Sequence, residues 1–200
     1  MSDDSGRQSL RLKNYNYTHP GYYHTITGTQ QGHHFFGEVS AGEMHLNTQG
    51  EIVQAALLTT IGRFPCIELD DYVVMPNHVH ALIVIKPPPS RQVEQRPARF
   101  QSYWRAIEQE ESLPGAVPLY EVMRSFKALT SYNEHRQGQM PSFGWHSGYY
   151  ERIIGENERY LYNVRRYIQN NPLKWELQCQ VWEAAGFRWT RIPRYESNRG

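Results

Sequence analysis

The sequence has little of three features that would identify whole classes of protein: cysteine, long apolar runs and charge of one sign. Its two cysteines, Cys66 and Cys179, lie far apart with no partners at metal-ligand spacing, so we expect free thiols. The first residues lack the apolar core of a signal peptide, and no run approaches the length of a membrane span. We therefore expect a soluble, cytoplasmic protein. A net charge of +1 identifies no partner, so contact with nucleic acid would need local clusters of charge.

Composition divides the 200 residues into one domain with two extensions and one insertion. Residues 1–13 are polar and basic, and we expect a flexible arm. The domain spans 14–177 and contains a proline-rich insertion loop at 86–118, which three consecutive prolines separate from the preceding strand. Residues 178–200 form an aromatic and basic C-terminal tail.

Hydrophobic periodicity predicts an alternation of strands and helices within the domain. The predicted elements are a strand at 22–27, a loop at 32–50 with a small hairpin near 35–39, a helix at 51–61, strands at 68–74 and 78–85, a helix at 119–136, a strand at 148–154 and a helix at 156–171. The order strand, helix, hairpin, helix, strand is typical of a split β-α-β unit. The predicted fold is therefore α+β, a ferredoxin-like (RRM-like) antiparallel sheet with helices packed on it.

The central hairpin carries the first candidate site. A tight turn at Met75-Pro76-Asn77 joins two apolar runs, and His78 and His80 open the second run. Side chains alternate along a strand, so both imidazoles point to one face and can bind one metal ion. The alternative is two strand-end histidines that are satisfied by hydrogen bonds.

The last predicted helix carries the second candidate site. Leu161, Val164 and Ile168 form its core stripe, and Tyr160, Tyr167 and Asn171 lie beside that stripe, while Glu158, Arg165 and Arg166 point away. Tyr167 and Asn171 are four residues apart and would be neighbours on one face. The alternative is an ordinary amphipathic helix whose tyrosines border the core and which ends before Pro172.

Together these stretches resemble a known family, the single-tyrosine HUH transposases, and in particular its REP-associated tyrosine transposase branch. The resemblance runs in order from about residue 9 to about residue 177. The insertion at 86–118 of this chain is longer than is usual in that family. The matching pieces are Arg11-Leu12-Lys13-Asn14-Tyr15, Pro20-Gly21-Tyr22-Tyr23, Met75-Pro76-Asn77-His78-Val79-His80, Ser125-Phe126-Lys127, Trp145 with Tyr149-Tyr150-Glu151, and Tyr167-Ile168-Gln169-Asn170-Asn171-Pro172.

The resemblance implies a site and a reaction. His78, His80 and Asn171 would be ligands of Mg²⁺ or Mn²⁺, and Tyr167 would be the nucleophile, with Tyr160 in reserve. The expected activity is cleavage and strand transfer of single-stranded DNA through a covalent 5′-phosphotyrosine. The expected partner is hairpin-forming single-stranded DNA, without a membrane, in a prokaryotic cytoplasm, with the chain acting as a monomer or homodimer.

Basic and aromatic residues could hold that DNA, since cations contact phosphates and rings stack on unpaired bases. The candidates around the proposed site and in the tail are Arg152, Arg159, Arg165, Arg166, Lys174, Arg188, Trp189 and Arg191.

Three other functions are compatible with parts of the sequence. A domesticated protein could bind single-stranded DNA or RNA without cleaving it, and an RNA-binding sheet module would share the architecture. A metal-dependent hydrolase could use His78 and His80, but it lacks nearby carboxylate ligands, since we expect Asp70 and Asp71 to cap or solvate their strand.

Overall fold

The computed structural model describes residues 15–87, 117–136, 143–154 and 157–184, with the backbone alone for 182–184. The predictions for the basic arm, for nearly all of the insertion and for residues 185–200 of the tail lie outside these ranges. Within them the chain contains six strands, four α-helices and one 3₁₀ turn at Gln30–Gly32. The strands are β1 (Gly21–Gly28), β2 (Gly37–Ser40), β3 (Glu43–Leu46), β4 (Ile67–Met75), β5 (His78–Ile85) and β6 (Tyr150–Ile154). The helices are α1 (Thr48–Gly62), α2 (Leu119–Arg136), α3 (Glu158–Gln169) and α4 (Asn171–Ala184).

Four strands form one antiparallel sheet in the order β4-β5-β1-β6. Omitting the small hairpin β2-β3, the chain runs strand, helix, strand, strand, helix, strand, with the first and third strands central. This is the ferredoxin-like order, and it confirms the predicted α+β fold. It also places the two strands of this sheet that contain histidines, β1 and β5, side by side in its middle.

Each face of the sheet packs against different helices. On one face Tyr23, Val79 and Ile83 pack with residues of α1 and α2 in the larger core. On the other face Leu82 and Ile154 pack with Leu161, Val164 and Ile168 of α3. The predicted core stripe of this last helix is therefore confirmed, and so is the prediction that Val79 faces away from the histidines.

Three local predictions need correction. The small hairpin lies at 37–46 rather than 35–39, and α1 begins at Thr48, where the Asn47 side chain accepts a hydrogen bond from the Gly50 N–H at 3.0 Å. The last predicted helix is two helices, α3 and α4, which meet at Asn170. Pro172 does not end the helical structure, because proline is tolerated in the first turn of a new helix.

Two further expectations concern the thiols and membrane spans. Cys66 and Cys179 are not joined in a disulfide, as predicted. Across the described ranges, none of the helices combines the length and apolarity that a membrane crossing requires.

Candidate active site

Three imidazoles meet on the α3 face of the sheet. His78 and His80 alternate with Val79 along β5, and His24 lies on the neighbouring β1, diagonally beside His80. The Nε2 atoms of His78 and His80 are 3.0 Å apart, and His80 Nδ1 lies 3.1 Å from His24 Nε2. The rings of His24 and His80 stack, with centroids 5.3 Å apart and planes inclined by 13°. The predicted proximity of His78 and His80 is confirmed, whereas His24 was not foreseen.

Asn77 fixes the orientation of the first imidazole. Its side chain is completely buried, and its Nδ2 donates to the Gly32 carbonyl at 3.0 Å. The amide oxygen therefore faces His78 Nδ1, which donates to it at 2.7 Å. The turn that carries Asn77 is itself held, because the Phe35 and Phe36 N–H groups donate to the Pro76 carbonyl. With its proton on Nδ1, His78 turns the lone pair of Nε2 toward His80.

Burial keeps these imidazoles neutral near pH 7. It lowers the pKa of His78 to about 4 and that of His80 well below its usual value, with neighbouring positive charge acting in the same direction. Burial and the Arg152 guanidinium together lower the pKa of His24 to about 4. A neutral imidazole offers a lone pair, which is the form that binds a metal ion.

The arrangement fits a metal site with two nitrogen ligands. Nitrogens 3.0 Å apart are close enough to share one ion at ordinary bond lengths of about 2.1 Å. His24 is not a third ligand to that point, because it faces the opposite ring nitrogen of His80. No three His, Cys, Asp or Glu side chains of the described part of the chain converge as a metal site. From the described residues an amide oxygen could join them, and phosphate or water oxygens could complete a set that suits Mg²⁺ or Mn²⁺.

Tyr167 lies beside the imidazoles. Its ring centroid is 5.5 Å from that of His80 and 5.9 Å from that of His24, in edge-to-face geometry. The neighbouring Ile168 is fully buried against Leu82, so α3 is anchored to the sheet next to the tyrosine. Tyr167 itself remains partly exposed. Its predicted position on the face of the histidines is confirmed, and its role as nucleophile stays a prediction.

Asn171 is buried, with 8% of its surface exposed. It is the first residue of α4 and not a member of α3, because the backbone leaves the helical conformation at Asn170 (φ −87°, ψ 4°). The prediction that Tyr167 and Asn171 share a single helix was therefore wrong. That their side chains are neighbours stays a prediction. The role of Asn171 as a metal ligand stays a prediction.

Helix α4, which the sequence reading missed, covers part of the site. The Trp175 ring lies 5.7 Å from that of His78 and 5.3 Å from that of His34. The Lys174 ammonium lies 4.4 Å from the centroid of the Tyr167 ring. A positive charge at this distance favours negative charge on the phenol oxygen and attracts phosphate. Lys174 is thus a predicted basic residue that contacts the tyrosine directly.

Two polar contacts hold α3 to a bulge in β4, where the pairing register shifts between Leu69 and Asp71. The Arg165 guanidinium donates to both carboxylate oxygens of Asp70, at 2.6 Å each. Gln169 Nε2 donates to Asp71 Oδ2 at 3.0 Å. We call these two contacts the β4 clamp. Tyr167 lies midway between the two α3 residues of the clamp. The prediction that Arg165 points away was wrong, because its guanidinium binds Asp70. Asp71 does accept a local hydrogen bond from the Tyr72 N–H at 2.8 Å, and both aspartates in addition bind α3.

The other predicted DNA-binding residues divide into two groups. Arg152 lies over the Tyr160 ring at 5.2 Å, Arg166 lies over the Tyr162 ring at 5.8 Å, and Arg159 is exposed at the start of α3. All three arginines are exposed. Arg188, Trp189 and Arg191 lie outside the described residues. Binding of DNA by either group stays a prediction.

Comparisons with known proteins yield one clear relative. No protein-family model matches the chain. A structure of a REP-associated tyrosine transposase bound to a REP hairpin is similar at 17% identity and a TM-score of 0.46, covering 94% of this chain and 93% of that one. An uncharacterized protein of Haemophilus influenzae is 31% identical over 170 residues, which is 85% of this chain and 90% of the relative. The chain therefore belongs to the same family as this Haemophilus influenzae protein.

Proposed function

We propose that the protein cleaves and rejoins single-stranded DNA through a covalent 5′-phosphotyrosine on Tyr167, in a reaction that depends on Mg²⁺ or Mn²⁺. The observation that carries this proposal is the position of Tyr167, whose ring lies 5.5 Å from that of His80. The resemblance of the histidine and tyrosine motifs to HUH transposases supports it. The chemistry then corresponds to DNA transposition or to the processing of REP-type hairpins.

The reaction exchanges one phosphodiester for another. The Tyr167 oxygen attacks phosphorus, and the bond from phosphorus to the 3′-oxygen breaks. In the net reaction the phenol loses its proton and the released 3′-oxygen gains one, which gives a free 3′-hydroxyl. Attack of another 3′-hydroxyl on the phosphotyrosine restores the phenol and joins two strands. Because the covalent link conserves the energy of the broken bond, joining the two strands needs no nucleoside triphosphate.

Residues of the chain prepare the site for this exchange. His78 and His80 would hold the ion, with Asn171 as the proposed oxygen ligand. A bound divalent ion would neutralise a phosphate oxygen and stabilise the leaving 3′-oxygen. Lys174 favours the negative charge that develops on the Tyr167 oxygen and draws the phosphate to it. The β4 clamp holds the tyrosine in place by fixing α3 on both sides of it.

The DNA would contact the cations that lie over the two tyrosines on the border of the α3 core stripe. Arg152 lies over the Tyr160 ring, and Lys174 lies over the Tyr167 ring. A strand bound on this surface could pair its phosphates with the cations and stack unpaired bases on the rings. Affinity should accordingly fall steeply between low and physiological salt.

The test is adduct formation with labelled DNA. Single-stranded oligonucleotides that tile both strands of the DNA flanking the gene are incubated with the protein and Mn²⁺, labelled at either end. A 5′-phosphotyrosine predicts that 3′-label migrates with the protein on a denaturing gel, while 5′-label is released as a shorter strand. Tyr167→Phe should abolish the adduct. Tyr162→Phe, at an exposed position of the same helix, is the matched control and should leave it unchanged.

Either of two results would reject the proposal: an undiminished adduct in Tyr167→Phe, or 5′-label on the protein in place of 3′-label. An adduct lost in Tyr160→Phe and kept in Tyr167→Phe would transfer the role to the reserve tyrosine.

One observation favours a second function, binding of single strands without cleavage. Both imidazoles are almost fully buried, and Trp175 covers His78. If this cover never opens to a phosphate, the protein would bind the same strands with the same salt dependence and form no adduct with any of the tiled oligonucleotides.

A further inference from the structure

We infer that His24 is a positioning residue that holds the proton of His80 on Nδ1 and so leaves His80 Nε2 free to bind the metal ion. The inference rests on the proposed metal site and extends it by a residue outside the predicted set. His24 would act through His80, without touching the ion itself.

The geometry gives each metal-binding imidazole one partner. Asn77 Oδ1 lies 2.7 Å from His78 Nδ1, and His24 Nε2 lies 3.1 Å from His80 Nδ1. The remaining nitrogens, the two Nε2 atoms, face each other at 3.0 Å. Partners of this kind fix the tautomer and the ring orientation of a metal-binding histidine.

Proton counting shows why His80 needs such a partner. Without a metal ion, a proton on His80 Nε2 bridges to His78, and His80 Nδ1 accepts a hydrogen bond from His24. With both Nε2 lone pairs on a metal ion, the His80 proton must lie on Nδ1, where an acceptor is required. His24 Nε2 can donate in the first state and accept in the second, because a neutral imidazole has two tautomers. A buried Nδ1–H with no acceptor would oppose metal binding.

Burial and stacking make this contact specific. His24 is 6% exposed, its ring is nearly parallel to that of His80, and its centroid is 5.9 Å from that of Tyr167. His24 therefore connects the proposed metal ligands to the proposed nucleophile on one continuous surface of rings. A residue at this position that neither donates nor accepts would leave His80 Nδ1 facing an apolar group.

The test is Mn²⁺ binding to the full-length protein by isothermal titration calorimetry, without DNA. His24→Leu removes the polar group at similar volume, and we expect the dissociation constant to rise about 10–100-fold. His24→Gln restores a group that can accept or donate through its amide, and it should recover most of that loss. Thr27→Val is the matched control on the same strand, because Thr27 faces away from the site and its hydroxyl has no partner among the described residues. It should bind Mn²⁺ as the wild type does.

The outcomes separate this inference from the proposed function. Folded His24→Leu protein that binds Mn²⁺ as tightly as the wild type overturns the role of His24 and leaves the metal site standing. Equal losses in His24→Leu and His24→Gln overturn it as well, since the loss would then follow the ring and not the hydrogen bond. A wild type that binds no Mn²⁺ overturns the metal site and the inference together. If His24→Leu does not fold, ¹⁵N spectra of the histidine rings in Mg²⁺-loaded wild type decide: a scalar coupling across a hydrogen bond between His80 Nδ1 and His24 Nε2 supports the role, and the absence of that coupling refutes it.

Discussion

The β4 clamp gives a prediction whose size follows from the burial of its members. Both oxygens of Asp70 accept hydrogen bonds from Arg165 at 2.6 Å, and the two side chains are 14% and 38% exposed. Exposed ion pairs contribute about 0–1 kcal/mol, and breaking a buried one costs about 3–5 kcal/mol. This pair lies between those limits, because a freed guanidinium could still reach water. We expect Asp70→Asn to lower the free energy of unfolding by about 1–2 kcal/mol.

The assay is urea unfolding of a double-mutant cycle that combines Asp70→Asn with Arg165→Gln. The coupling energy should be about 1 kcal/mol. Glu68→Gln is the matched control. Glu68 lies on the same strand as Asp70 and pairs with Lys86, but both of these side chains are largely exposed (55% and 42%). Its cost should stay within about 0.5 kcal/mol.

The clamp also predicts an effect on the reaction. Since its two contacts lie on either side of Tyr167 along α3, releasing one should slow adduct formation by more than the small unfolded fraction explains. If Asp70→Asn costs no more than Glu68→Gln and the cycle shows no coupling, the contact does not anchor the helix. The argument for Tyr167 positioning would then be refuted.

Three further predictions concern pH, the α4 contact and a glycine. The pKa of His24 is lowered to about 4 in the folded protein, so as the pH falls below about 6.5 the unfolded chain protonates this histidine and the folded chain does not. Between about pH 6.5 and pH 4 the metal-free protein should therefore lose roughly 1.4 kcal/mol of unfolding free energy per pH unit through His24. Urea unfolding at a series of pH values should show a shallower slope for His24→Gln. Glu176 accepts hydrogen bonds from the Ala41 and Gly42 N–H groups at 3.1 and 2.7 Å, so Glu176→Ala should cost about 1 kcal/mol and speed amide hydrogen exchange in α4; unchanged exchange would contradict this anchoring. In α1, Gly50→Ala should destabilise by about 1–3 kcal/mol in thermal unfolding because its Cβ would overlap the Phe36 carbonyl oxygen, and Gly62→Ala, whose Cβ would meet nothing within 4 Å, should be neutral or stabilising. Equal effects of the two alanines would show that the overlap is relieved.

Local patterns were sufficient for the sheet and for half of the site. The alternation around Pro76 placed His78 and His80 on one face, and the period of the last long helix placed Leu161 in the core. These features depend on neighbours in the chain, so composition and spacing reveal them.

Features that depend on contacts between distant segments could not be read in this way. A lone histidine in an aromatic strand gives no local signal, although pairing β1 against β5 in the predicted fold would have placed His24 on the face of His80. The pairing of Arg165 with Asp70 joins residues 95 positions apart. Pro172 was taken as a stop, because the pattern alone does not distinguish the end of one helix from the first turn of the next.

The most direct test of the central claim is to identify the residue that carries the DNA. After reaction with a cleavable oligonucleotide and Mn²⁺, the adduct is digested with nuclease and trypsin and its peptides are sequenced by mass spectrometry. Cleavage after Arg166 and Lys174 releases Tyr167–Lys174, and cleavage after Arg159 and Arg165 releases Tyr160–Arg165. The account predicts a nucleotide linked through its 5′-phosphate to Tyr167 in the first peptide. A nucleotide linked in this way to the second peptide, with the first peptide unmodified, would contradict it.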